Sequence, residues 1–239
     1  MQPDFALIEA IKHGDVSGFD KALICGASLG ARDINGDSAL ETAQRYGQLE
    51  FGRQLIKFGA NVRAIVNQSG DTLLHRCCRC GDIGFAGLLL SKGADPNAVN
   101  VAGKTPLHWA VTKGFQYLSI ELIESGADIN KATPQGDQPL HIAARRGDIP
   151  MINALLKAGA SVTATNNTGY TSLHEAASAG HTQAAQLMID SGRIGYHERS
   201  ILLPRVRRAA ELHGHAATAE AIRAAEGGRE RAEPPRELA

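Results

Sequence analysis

The chain has 239 residues, 43% of them hydrophobic and 21% charged, a composition that places it among soluble globular proteins. Lys plus Arg and Asp plus Glu number 25 each, and a zero formal charge argues against a dedicated nucleic-acid binder, which carries a basic excess for phosphates. No apolar run nears the roughly 20 residues of a membrane-spanning helix. The start, Met1-Gln2-Pro3-Asp4-Phe5, lacks the basic-then-apolar order of a secretory signal, so a cytoplasmic protein is expected, with export by a signal-less route left open.

A fixed period organises the whole chain. Gly36, Gly70, Gly103, Gly136 and Gly169 form one series, and Gly14, Gly47, Gly81, Gly114, Gly147 and Gly180 a second. Both step by 33 residues, with a single step of 34 around Gln68. A Gly-Ala pair recurs in the same period at Gly26, Gly59, Gly93, Gly126 and Gly159.

In chain order, the first segment (about 4–33) keeps Leu7, Gly14 and Gly26-Ala27, and the second (34–66) has Ala39-Leu40-Glu41. The third (67–100) carries Thr72, Leu74, His75 and Gly93-Ala94-Asp95-Pro96-Asn97. The fourth (101–133) runs Gly103-Lys104-Thr105-Pro106-Leu107-His108-Trp109-Ala110. There Thr105 is placed to cap a helix, Pro106 suits its first position and Gly114 ends it. A second helix is predicted from about Gln116 to Ser125, with Leu118, Leu122 and Ile123 on one face. Gly126 closes it, and Ala127-Asp128-Ile129-Asn130 leads into a turn toward Gly136. The fifth segment (134–166) keeps Pro139, Leu140 and His141, and the sixth (167–199) Thr171, Leu173 and His174.

After Gly192 the pattern decays into a helix pair, Ile201 to His213 and Ala216 to Ala225, made polar by Arg205, Arg207, Arg208, Glu211, Glu220 and Arg223, as the open end of a stack requires. Residues 227–239 are mainly Gly, Pro, Glu and Arg and are expected to be disordered.

Thr-Pro-Leu-His-x-Ala, then a Gly, then Gly-Ala-Asp-x-Asn resembles the ankyrin repeat. The fourth segment matches it fully and the first two least; the likeness spans roughly residues 4–195. It implies an all-α fold with short β-hairpin-like turns, an ankyrin-repeat solenoid of six repeats with a degenerate capping pair over 200–226, in one domain, 1–226. It also implies a non-enzymatic, monomeric protein-binding scaffold of the adaptor or effector type, or alternatively an inhibitor or immunity-type protein that blocks a partner enzyme or toxin. No phosphate-binding glycine loop occurs, and the one Gly-x-Ser-x-Gly match, Gly26-Ala27-Ser28-Leu29-Gly30, falls on the recurring Gly-Ala punctuation of the repeat, so neither catalysis nor a cofactor is expected.

His75, His108, His141 and His174 recur at one position. Packed helices lie about 8–10 Å apart, too far for equivalent rings to share a zinc at about 2 Å, so each ring is expected to hydrogen-bond backbone across a repeat junction, as the resemblance also implies. Cys77 and Cys80 form a C-x-x-C beside His75, which leaves metal or redox chemistry open. Yet Cys77 and Cys78 fall where other repeats place Ala143-Ala144 and Ala176-Ala177, and read as core, with Cys80 facing solvent and no metal bound.

In the ankyrin architecture the first helix of each pair lines the concave side. The positions after the histidine and before the closing glycine then give Lys12, Arg45, Tyr46, Arg76, Arg79, Trp109, Lys113, Ile142, Arg145 and Arg146 as partner-binding residues. They read as a basic stripe over five repeats, flanked by only two acids, Glu9 and Glu175, with an exposed Trp109 at its middle, suited to an acidic protein segment. The competing reading is that cations in the last turn of a helix complement its macrodipole by about 0.3–1 kcal/mol with no partner at all. The hairpin tips, Ile34-Asn35, Gln68-Ser69, Val101-Ala102, Pro134-Gln135 and Asn167-Thr168, read as mostly small and polar rim contacts.

Overall fold

A computed structural model describes residues 2–227. Among them it contains fourteen α-helices and no sheet; three isolated antiparallel bridges, Arg32 with Ser38, Ile65 with Thr72 and Thr165 with Thr171, mark hairpin-like turns. Two compact units divide between Ala127 and Asp128. The first holds four helix pairs: α1 (Pro3–His13) with α2 (Val16–Ile24), α3 (Ala39–Arg45) with α4 (Leu49–Lys57), α5 (Leu73–Cys80) with α6 (Ile83–Ser91), and α7 (Pro106–Lys113) with α8 (Gln116–Glu124). The second holds α9 (Pro139–Arg146) with α10 (Ile149–Lys157), α11 (Ser172–Ser178) with α12 (Thr182–Asp190), and α13 (Tyr196–Leu212) with α14 (Ala216–Gly227).

Each pair is too short to bury its own apolar face, so neighbours stack. First helices pack on first helices, α1 on α3, α5 on α7, α9 on α11, and second helices on second helices, α4 on α6, α6 on α8, α10 on α12. One leucine per repeat anchors the first-helix layer: Leu7, Leu40, Leu74 and Leu107 in the first unit, Leu140 and Leu173 in the second, all buried. Three residues on sits a small side chain, Ala10, Ala43, Cys77, Ala110, Ala143 or Ala176, which lets the helices approach closely. In the second-helix layer Phe19 stacks on Phe51 with centroids 4.6 Å apart. Gly52 makes room for Phe85, whose ring would lie 2.5 Å from any Cβ there. The register that holds Phe51, Phe85 and Leu118 falls to Gly18 in the first pair, where it helps Ala6, Ala10 and Ala22 line a hollow of about 510 Å3.

Local chemistry sets the helix ends. Ser38, Thr72, Thr105 and Thr171 each accept a hydrogen bond from the backbone N–H three residues on. After α9 the chain turns through Gly147 at φ +65°, and a Cβ there would come within 2.6 Å of the His181 ring. Gly47 occupies the same register at φ +67° with nothing within 4 Å.

The C-terminal pair departs from expectation at one end. α13 starts at Tyr196, five residues before the predicted Ile201, because Gly195 opens the helix and its N–H donates to the Glu198 carboxylate. Pro204 then sits inside the helix, where it forfeits one backbone bond. The stretch expected to be disordered begins at Gly227, the last residue of α14, and otherwise lies outside the described residues.

Candidate functional site

The recurring histidines are buried; all four accept from their own helix cap, and His75 and His141 also reach the next repeat. Backbone N–H groups of Thr72, Thr105, Gln138 and Thr171 donate to Nδ1 of His75, His108, His141 and His174, at 3.1–3.2 Å. An Nδ1 that accepts from an amide is unprotonated, so Nε2 carries the proton of the neutral ring. Nε2–H of His75 donates to the Lys104 carbonyl at 3.0 Å, and that of His141 to the Tyr170 carbonyl at 3.1 Å, each in the following repeat. The bond across the junction is the one the sequence predicts; the reciprocal cap within the repeat is an addition to it. In the second repeat Glu41 takes the histidine's place, its carboxylate accepting from the Ser38 N–H at 2.9 Å.

The rings of His75, His141 and His174 stay neutral because burial pushes their pKa below the usual 6.5, for His174 down to about 4 with the Arg205 charge adding to the burial. The sign follows. An unfolded chain takes up protons below about pH 6.5 that the folded chain refuses. The stability present above that pH is therefore lost as pH falls toward about 4. Melting followed by circular dichroism is expected to give a lower Tm at about pH 5 than at about pH 7. The decline becomes shallower in His174→Gln; a Tm that stays flat across this interval contradicts the assignment.

Most cations of the expected stripe are not bare. In the first unit Lys12 pairs with Glu9 at 2.9 Å, one turn back on α1. Arg45 pairs with Asp37, and Arg76 reaches the same Asp37 at 3.4 Å and Glu41 at 4.0 Å. Arg79 lies 3.5 Å from Asp71. In the second unit Arg145 bridges Asp137 and Glu175, both at 2.9 Å. The hydrogen bonds it donates to Glu175 and Asp137 push its pKa up. Burial works to raise the Asp137 carboxyl, yet hydrogen bonds from Asn166 and Arg145 hold it below the usual carboxylate range. The expectation of only two flanking acids is thus corrected. Asp37, Asp71 and Asp137 follow the hairpin glycine, eight residues before the arginine each one meets, and close the charge within the repeat. The spacing Asp-x7-Arg was visible in the sequence at 37/45, 71/79 and 137/145.

The last residue of the same segment holds each carboxylate in turn. Asn100 donates to Asp71 at 2.8 Å and Asn166 to Asp137 at 3.0 Å. The side chains of Asp33, Asn67, Asn100, Thr133 and Asn166 also accept from the backbone N–H four residues on, which fixes each hairpin.

Trp109 is half-buried, correcting the expectation of an exposed ring. Lys104 Nζ lies 4.8 Å and Arg79 Cζ 5.9 Å from its centroid, and its Nε1 is buried without a hydrogen-bond partner. Lys113 is exposed at the end of α7, and Tyr46 is exposed at the end of α3. In the second unit Ile142 is half-buried and Arg146 exposed. Ile34 and Val101 are largely exposed, so the hairpin tips are more apolar than their neighbours in the sequence suggest.

Cys77 and Cys78 are buried, and burial pushes both thiols up; Cys80 is exposed and its Sγ lies 3.4 Å from Gln44 Nε2. His75, the possible third ligand, is committed at both nitrogens, and among the described residues no three His, Cys, Asp or Glu side chains are placed to hold a metal.

The profile of a family described as ankyrin repeats, three copies, matches residues 7–100 and 107–199. The E3 ubiquitin-protein ligase KEG of Arabidopsis thaliana is 38% identical over 112 residues, 46% of this chain and 7% of that protein. The crystal structure of the ankyrin repeat domain of Bcl-3 superposes with a TM-score of 0.72 at 27% identity, over 78% of this chain and 86% of that one. An ankyrin repeat domain from Acinetobacter baumannii gives a TM-score of 0.72 at 27% identity, over 79% and 98%. The chain spans well under two thirds of the length of the curated relatives it matches.

Proposed function

This chain belongs to the ankyrin repeat family, whose domains bind protein partners, and from that premise we propose that it is a monomeric, cytoplasmic scaffold that captures an acidic protein segment on the first helices of its repeats. The contributing residues are Lys12, Arg45, Tyr46, Arg76, Arg79, Trp109 and Lys113 in the first unit and Ile142, Arg145 and Arg146 in the second. The carrying observation is Trp109, the chain's one tryptophan, set in the first-helix layer with Arg79 and Lys104 against its ring. Trp and Arg are the residue types most enriched where binding energy concentrates. Neutralised arginines elsewhere on the face suit orientation more than attraction, since a paired guanidinium must trade one carboxylate for another.

Among the described residues no helix is long and apolar enough to cross a membrane, and all four cysteines are free thiols, which fits a reducing compartment. The test is capture on the immobilised chain, wild type against a Trp109→Ala, Arg79→Glu double variant whose fold is checked by circular dichroism. Proteins held by the wild type and lost by the variant are the expected result. Equal capture by both sinks the assignment of this face.

A further inference from the structure

We infer that Lys104, Trp109 and Arg79 form a receptor for the side-chain carboxylate of an acidic polypeptide; the inference deepens the proposed function and rests on it. Repeats two, three and five place aspartate after the hairpin glycine and arginine eight residues later, and each pair closes on itself. The fourth repeat breaks this rule at both ends, with Lys104 in the aspartate position and Thr112 in the arginine position. A cation therefore stands where its neighbours hold an acid.

Its backbone is pinned on both sides. The Lys104 N–H donates to Asn100 Oδ1 at 2.9 Å, and its carbonyl accepts from His75. That anchoring lays the ammonium over the Trp109 ring, 4.8 Å from the centroid, and no carboxylate pairs with it among the described residues. Arg79 approaches the same ring, and its one carboxylate, Asp71, already accepts from Asn67 at 2.9 Å and from Asn100 at 2.8 Å. With the exposed Lys113 one turn along α7, cations outnumber carboxylates at this one place. A carboxylate supplies what is missing, and the ring gives its methylenes an apolar floor. The neutral total charge of the chain favours a single acidic side chain over a run of nucleic-acid phosphates, which rewards many cations together.

Trp109 is its own reporter, because no other tryptophan contributes emission. The probe is an end-blocked glutamate octapeptide titrated into the full chain. The expected result is a saturable change in Trp109 fluorescence that weakens as sodium chloride is raised. The decisive variant is Lys104→Asp with Thr112→Arg, which installs the closed pair of the neighbouring repeats. It is expected to fold with an unchanged or higher Tm and to lose about tenfold or more in affinity. Lys104→Met, which keeps the stem on the ring and removes the charge, is expected to lose affinity in the same direction. Peptide binding that is absent, or equal in wild type and the double variant, overturns the receptor. So does tighter binding of oligothymidylate than of the glutamate peptide, which would assign the cations to phosphate. If the receptor fails in these titrations while capture still depends on Trp109 and Arg79, the interaction face stands and only this assignment falls.

Discussion

Gly147→Ala is expected to destabilise the second unit by about 2–5 kcal/mol, whereas Gly47→Ala costs the first about 1–2 kcal/mol. Both glycines end the first helix of a repeat with nearly the same backbone, φ +65° and φ +67°, so the left-handed strain on an alanine is common to both. What differs is the space. At Gly147 a methyl group meets the His181 ring at 2.6 Å, and that ring is held in place because its Nε2–H donates to the Arg145 carbonyl at 3.1 Å. Relief requires either breaking that bond or moving the turn. Urea unfolding of the two variants separates the contributions, and equal losses at the two sites would mean that the His181 contact carries no cost.

Asp71→Ala is the second substitution with a large expected effect, about 2–4 kcal/mol. The carboxylate is buried and accepts from Asn67 and Asn100, and Asn100 is itself buried, so its amide has no water to turn to. Arg79 adds little, because its side chain is 45% exposed and solvent screens the pair. A double-mutant cycle of Asp71→Ala with Asn100→Ala isolates the bond between these two side chains. A coupling of about 1 kcal/mol or more is expected for a buried, charge-assisted bond. Strict additivity would place the cost of losing Asp71 elsewhere.

The helices were legible because their determinants are local. Thr105 caps, Pro106 starts and Gly114 ends α7 as their chemistry dictates, and α8 stops within a residue of the predicted Ser125. Position 43 and its equivalents are small because two helices meet there, which is why Cys77 reads as an alanine and not as a ligand. The early start of α13 was missed because Gly195 leaves no side-chain capping signature of the Ser/Thr kind. The electrostatics of the face were misread for a different reason. Reading one helix register collected the arginines and passed over Asp37, Asp71 and Asp137, which reach the face from the preceding turn. A carboxylate eight residues upstream belongs to another element and becomes a neighbour only once the hairpin has folded back. The half-burial of Trp109 was hidden likewise, since Lys104 lies outside its helix.

The self-closing aspartate and arginine give three of the modules a property that outlives any one partner. A segment that carries its own charge pair keeps that pair when copied, deleted or traded with a like segment, so the third and fifth are expected to tolerate exchange at the cost of the contacts from Arg76 to Asp37 and from Arg145 to Glu175. The fourth is the exception: wherever its thirty-three residues were transplanted, an unanswered positive charge over an indole would travel with them.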